Sequence, residues 1–309
     1  MAASLSTLLD DTPVQSSYQV PLSHRDRLHV RRIARDVYGP AVLMIHGAVE
    51  NGRIFYSHSG KGLAPFLAAR GYDVFVPDLR GRGESSPRVS RHTRTGQHEA
   101  ITEELPALVR FVRELKGGPP AFWVTHSWGG VLVTSFLARF PMYLDAIHAM
   151  VYFGSKRRIQ IEGIRKRVVI DFLWGWGSRQ LARVVGYFPA RVVGAGSDSE
   201  SATFNREMLQ WVKASAWVDG GDGFDYRAAL RAVSLPPIWY IAGVGDAVLG
   251  NPADVFAFML ESGDHPQRYT ILSRANGNRR DYGHIDMLTA PECVEDHFPR
   301  VAEWFDNLG

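Results

Sequence analysis

Ala41–Ile45 reads AVLMI, five apolar residues with no alternation. A run so short and so uniformly apolar is a strand covered on both faces. Similar runs return at Asp73–Pro77 (DVFVP) and Ile238–Ala242 (IWYIA), and strands are also predicted at Ala121–Thr125, Ile147–Phe153 and Gln267–Leu272. Helical spacing fills the gaps. Gly62–Arg70 is ended by Gly71, and Val131–Arg139 stops before Pro141. Glu99–Leu115 carries Leu105, Leu108, Val112 and Leu115 on one face, and Pro291–Leu308 closes the chain. Tyr18–Pro21 and Leu28–Asp36 read as an opening strand pair around a turn at His24–Arg27. Strand and helix in alternation predict an α/β fold, a mostly parallel twisted sheet with helices on both faces. A chain of 309 residues, 45% hydrophobic, can bury such a core without a disulfide or metal staple.

The alternation fails between Lys156 and Leu235, where helical stretches, glycines and tryptophans replace the buried strands. The reading is a core of residues 1–155 and 236–309 with a helical cap insertion at 156–235. Ligands of open α/β sheets bind beyond the carboxyl ends of the strands, so an insertion there would roof the site.

Four predicted strand ends carry residues suited to chemistry. Thr125-His126-Ser127-Trp128-Gly129-Gly130 lies between a buried strand and an apolar helix, the setting of a nucleophile elbow. Gly129 fits the small position after the serine, whereas Thr125 stands where a glycine is usual. His46-Gly47-Ala48-Val49 follows AVLMI, and a loop there supplies one backbone N–H for an oxyanion, with Trp128 N–H as the other. Asp246 follows IWYIA and is placed to orient an imidazole; Asp254, Asp264 and Asp281 are rivals further from a strand end. His284 lies between the last strand and the last helix, and imidazole titrates near neutrality as a general base must. The order Ser, Asp, His, each after a strand, is far more specific than any one of them.

Together these residues resemble the α/β-hydrolase superfamily from about Val30 to the C-terminus. Asp78-Leu79-Arg80-Gly81-Arg82-Gly83-Glu84-Ser85 resembles a structural turn of that family, and HGAxE with DYGHIDM is most similar to its esterase, monoacylglycerol-lipase and lysophospholipase branches. The resemblance implies Ser127 as nucleophile, His284 as base, Asp246 as orienting acid, and Ala48 and Trp128 as oxyanion donors. It implies a serine hydrolase acting through an acyl-enzyme on a carboxylic ester, with acyl-lipids and other hydrophobic small-molecule esters as the candidate substrates. An acyltransferase, thioesterase or C–C hydrolase would use the same triad, and some proteins of this fold only bind ligands. Haloalkane dehalogenases and epoxide hydrolases of the fold use Asp at the elbow, and Ser127 argues against both.

The insertion carries Phe172, Trp174, Trp176, Phe188, Phe204, Trp211 and Trp217. Trp174, Trp176 and Trp211 are candidate substrate contacts in a greasy lid, although aromatic stripes more often pack as core. Lys156–Arg191 holds nine basic and two acidic residues in a chain of net charge +3. Around Ile161, Ile164 and Val168 the wheel also places Arg165, so charge and apolarity do not separate and a membrane-surface helix is disfavoured. Apolar residues interrupt the run throughout, which argues against nucleic acid. No cofactor is expected, and His46 lacks partners at metal-ligand spacing. Asp10 and Asp11 come too early for a signal peptide, and Cys293 is the lone cysteine; both fit a cytoplasmic protein.

Overall fold

The computed structural model describes residues 12–23, 25–160 and 176–309. Eight strands form one sheet: β1 (Val14–Pro21), β2 (Arg27–Ala34), β3 (Ala41–Ile45), β4 (Asp73–Asp78), β5 (Phe122–His126), β6 (Ala149–Phe153), β7 (Ile238–Gly243) and β8 (Gln267–Leu272). Their order is β1-β2-β4-β3-β5-β6-β7-β8. The β1–β2 and β2–β4 pairs are antiparallel. The others are parallel. The runs AVLMI and IWYIA are β3 and β7, buried at every residue, as strands between two helical layers must be. One core layer packs Leu43, Ile45, Phe75, Trp123 and Val131, and the other packs Val42, Met44, Val74, Val124 and Phe305. The chain has the α/β-hydrolase fold.

Departures from the sequence reading have local causes. β1 begins at Val14 rather than Tyr18, because ladder bonds to β2 hold a half-exposed edge with little apolar signal. The helix after β5 begins at Trp128, not Val131 (Trp128–Arg139). Gly129 and Gly130 weaken its helical propensity, but tertiary packing overrides that. The helix near residue 100 spans Gln97–Glu99, a π-helical stretch Ala100–Glu104, and Leu105–Lys116, with Pro106 breaking the donor ladder. The last helix is Phe298–Asp306, preceded by a 3₁₀ turn at Pro291–Glu295.

Between β6 and β7 lie the helices Ser178–Val185, Ala202–Lys213 and Tyr226–Leu230. A two-residue ribbon pairs Tyr187–Phe188 with Glu200–Ser201, too short to show an alternating pattern. Trp211, Trp217 and Tyr226 form an aromatic cluster, with Trp217 5.9 Å from Phe258 on the body. Arg157 is fully buried beneath them. It donates to the carbonyls of Trp211 and Ala214 and pairs with Glu261. Six of the nine basic residues of the run are described: Lys156 and Arg157 are interior, Arg158 is half-buried, and Arg179, Arg183 and Arg191 are exposed. Residues 1–11, Arg165 with its apolar neighbours, Phe172 and Trp174 lie outside the described residues. Among the described residues no helix is long and apolar enough to cross a membrane.

Candidate active site

Ser127 sits at φ 52°, ψ −122°, where β5 turns into the helix Trp128–Arg139. Among the described residues the only other non-glycine at positive φ is Val49 (φ 54°), in the loop after β3. Both conformations are costly, the β-branched valine most of all, and such strain collects at functional sites. Ser127 N–H donates to the Phe153 carbonyl at 2.8 Å, tying the turn to the end of β6. The turn also needs room. A Cβ at Gly129 would stand 2.3 Å from the Ile45 carbonyl oxygen, and one at Gly47 2.8 Å from Ser127 Cβ. The two glycines therefore bring the loop after β3 directly against the serine.

His284 and Asp246 meet across 38 residues of sequence. His284 Nδ1 donates to Asp246 Oδ2 at 2.5 Å, which leaves Nε2 as the free ring position. Burial would raise the Asp246 carboxyl, but the bond from His284 and backbone N–H donation hold it below the ordinary range. Burial also lowers the His284 imidazole, and the Asp246 bond only partly offsets this. Two rivals of Asp246 are engaged elsewhere, Asp254 accepting from Gln160 N–H and Asp281 from Arg274 N–H, and Asp264 is exposed on the surface.

Beneath His284 lies a second buried pair, between Glu50 and His126. His126 Nδ1 lies 2.7 Å from Glu50 Oε1, and Nε2 lies 2.9 Å from the His284 carbonyl oxygen. Both nitrogens face oxygens, the arrangement that suits an imidazolium beside a carboxylate. Burial opposes that charge, but Glu50 raises the His126 pKa above its ordinary value. Glu50 in turn is held low by His126 against its own burial, and also accepts from Gly47 N–H. The His126 and His284 rings are 4.7 Å apart. Glu50 thus ties the loop after β3, the elbow and the His284 segment together.

Other candidate residues have settled places. His46 is fully buried; Nδ1 donates to the Gly47 carbonyl and Nε2 accepts from Leu79 N–H, so it is a neutral structural link. The Asp78 carboxylate accepts from Gly52 and Glu84 N–H and from His29, and Ser85 Oγ donates to the Asp78 carbonyl. Those bonds build the turn that follows β4.

Ser127, Trp128, Ala48 and His284 all line one cavity of about 500 Å³. Its other walls are mainly apolar: Val49, Ile54, Ile159, Met208, Leu209, Val212, Leu249 and Ile285. The segment Gly194–Ser197 and the helix Ala202–Lys213 supply the side facing away from the sheet. Of the tryptophans expected to touch substrate, Trp211 is buried against Trp128, Trp217 and Tyr226, and Trp176 is 58% exposed. Neither lines the cavity; Met208, Leu209 and Val212 on the Trp211 helix do so instead. The aromatics are spent on holding that helix to the body.

Sequence reasoning singled out neither His126 nor Lys156, and quoted Glu50 only as part of a motif. Lys156 opens the basic run, and His126 adjoins the serine, but what His126 bonds lies 76 and 158 positions away in sequence.

Residues 40–185 match the family model described as alpha/beta hydrolase fold. Epoxide hydrolase 2 of Siraitia grosvenorii is 30% identical over 149 residues, covering 48% of this chain and 40% of that protein. The chain thus spans less than half the length of that relative. Lipase LipV of Mycobacterium tuberculosis is 27% identical over 248 residues, 74% of this chain and 81% of that one. An esterase of Pyrococcus furiosus superposes with a TM-score of 0.61 at 16% identity, over all of this chain and 97% of the other. At that identity the likeness concerns the fold alone.

Proposed function

We infer that this chain, a member of the α/β-hydrolase superfamily, is a serine hydrolase that cleaves carboxylic esters with a largely apolar acyl group. The observation that carries the reading is a strained Ser127 sharing one apolar cavity with a His284 whose Nδ1 is held by buried Asp246. In the proposed reaction His284 Nε2 takes the Ser127 proton as Oγ attacks the carbonyl. Backbone N–H groups of Ala48 and Trp128 hold the oxyanion, the latter at a helix N-terminus where N–H groups are left over by the helix itself. His284 then protonates the leaving alcohol, and water releases the acid from the acyl-enzyme. In this reading residues 156–235 act as a lid, and about 500 Å³ of cavity suits a small apolar ester.

The epoxide-hydrolase relatives do not carry their chemistry to this site. Opening an epoxide with a carboxylate leaves an ester that water can cleave, whereas a serine alkoxide would leave an inert ether. The residue at the elbow is serine, so acyl chemistry is the reading that turns over.

The direct test is an acyl series of p-nitrophenyl esters together with labelling by a fluorophosphonate. Turnover, with the label on Ser127 and lost in Ser127→Ala, supports the reading. A folded protein that neither turns over esters nor takes the label sinks it.

A further inference from the structure

Three lysine and arginine side chains are buried among the described residues: Arg82, Lys156 and Arg157. Two have a counter-ion in contact. Arg82 lies 2.6 Å from Glu200, and Arg157 pairs with Glu261. Lys156 is 5% exposed, lines the cavity with Ser127 and His284, and has no carboxylate in contact among the described residues. Burial holds the Lys156 pKa below its ordinary value, and the acids that oppose this through space are Asp246, Asp254 and Glu50. Asp246 is bonded to His284 and Val248 N–H, and Glu50 to His126 and Gly47 N–H. Asp254 accepts from Gln160 N–H. A buried ammonium without a contact anion is costly, and the cost is recovered when an anion arrives. The rest of the cavity is mainly apolar; its other charged residues are Glu50, engaged as above, and Arg53, which is exposed and contacts His58.

We propose that Lys156 is a specificity-determining residue that receives a carboxylate of the substrate, so that the preferred ester joins a free carboxylate to an apolar body. This rests on the serine-hydrolase reading above. The carboxylate belongs either to the acyl part, as in a dicarboxylic hemiester, or to the alcohol part, as in an acylated hydroxy acid. Both put the anion at Lys156 and the ester carbonyl at Ser127. Lys156 does not touch the reacting bond in this arrangement, so its contribution is uniform binding and belongs in KM rather than kcat.

The experiment compares two matched pairs. Mono-p-nitrophenyl suberate against p-nitrophenyl octanoate probes the acyl side. 4-(Butanoyloxy)butanoate against butyl butanoate, followed by pH-stat, probes the alcohol side. Wild type should favour the anionic member of one pair. Lys156→Met should lower that anionic-to-neutral ratio of kcat/KM by about 30-fold or more, through KM, as loss of a buried charge partner does. Lys156→Arg should keep part of the preference. Equal ratios in wild type and Lys156→Met for both pairs overturn the proposal, as does a wild-type preference for the neutral member of both. If Lys156→Met does not fold, Lys156→Gln takes its place. Calorimetry of suberate against octanoic acid amide on Ser127→Ala, with and without Lys156→Met, reads the same contact without turnover. If neither pair is hydrolysed and Ser127 takes no fluorophosphonate label, the hydrolase reading falls, and the calorimetric difference still decides the role of Lys156.

Discussion

The sheet body and the segment that covers it are held by different forces. In the body, strands buried on both faces place Ser127, Asp246 and Ala48 at or just beyond β5, β7 and β3. Packing of this kind is spread over many small contacts and survives single changes. The covering segment has short helices and a two-residue ribbon, and polar clamps join its start and its middle to the body. Arg82 pairs with Glu200, Asn51 donates to Asp198 at 2.6 Å, Val49 N–H donates to Glu200, and Arg157 holds Glu261 and the end of the helix Ala202–Lys213. Two of these clamps, at Asn51 and Val49, land on the loop after β3, close to Ser127. In the proposed function the work divides the same way, with the body carrying the chemistry and the cover selecting what reaches it.

The largest effect should come from the body. Ser127→Ala is expected to lower kcat by about 10⁴ to 10⁶-fold. Ser127→Gly should be equally inactive yet more stable by about 1 kcal/mol, because glycine tolerates the positive φ. Thermal melting beside an ester assay reads both, and a glycine variant that melts earlier than alanine would remove strain from the argument. Asp246→Asn is next, at about 10⁴-fold in kcat, since His284 would lose the partner that sets its tautomer. The pH profile follows from the same pair. The base works deprotonated, and burial lowers the His284 pKa. kcat/KM should therefore rise with pH through a midpoint below the ordinary value of about 6.5 and level off above it. A midpoint above 7 would mean that another group is the base.

The same contrast explains how much the sequence discloses. β3, buried at every residue, matches its predicted ends at both termini, and Ser127, Asp246 and His284 fall where their order and strand ends place them. An element buried on both faces leaves a local pattern, because every residue in it answers to the same environment. The cover answers to distant partners. Nothing near Glu200 signals Arg82, 118 residues away, and nothing near Arg157 signals Glu261, 104 residues away. Trp211 is legible as important from its type alone, but not whether it faces the cavity or the body. The Glu50–His126 pair is hidden for the same reason: two residues of different loops become a unit only once the sheet is assembled.

A change at one clamp should therefore loosen the cover and leave the chemistry. Arg157→Met removes a buried cation and leaves Glu261 with the more exposed Arg227. Breaking one side of a buried pair costs about 3 to 5 kcal/mol. Limited proteolysis should then cut first within the cover, and KM should rise more than kcat falls. Loss of Ser127 labelling in the folded variant would show instead that body and cover act as one unit.

The smallest effect bears most directly on selection. Met208, Leu209 and Val212 present one face of a helix to the cavity, and Leu209 is nearly fully buried. Leu209→Phe adds volume there without a polar atom. Long acyl groups should lose by about 1 to 3 kcal/mol in kcat/KM relative to short ones, the range over which an apolar pocket discriminates by size. Turnover of the acetyl ester serves as the reference, since its acyl group has least need of that wall. If long and short esters fall together, the helix supports Ser127 through Trp128, whose ring lies 6.5 Å from that of Trp211, and the division between body and cover is not one between chemistry and selection. If only the long esters fall, the wall that measures the substrate is the one held to the body by Arg157 and the aromatic cluster, and selectivity is set by how firmly that helix is anchored.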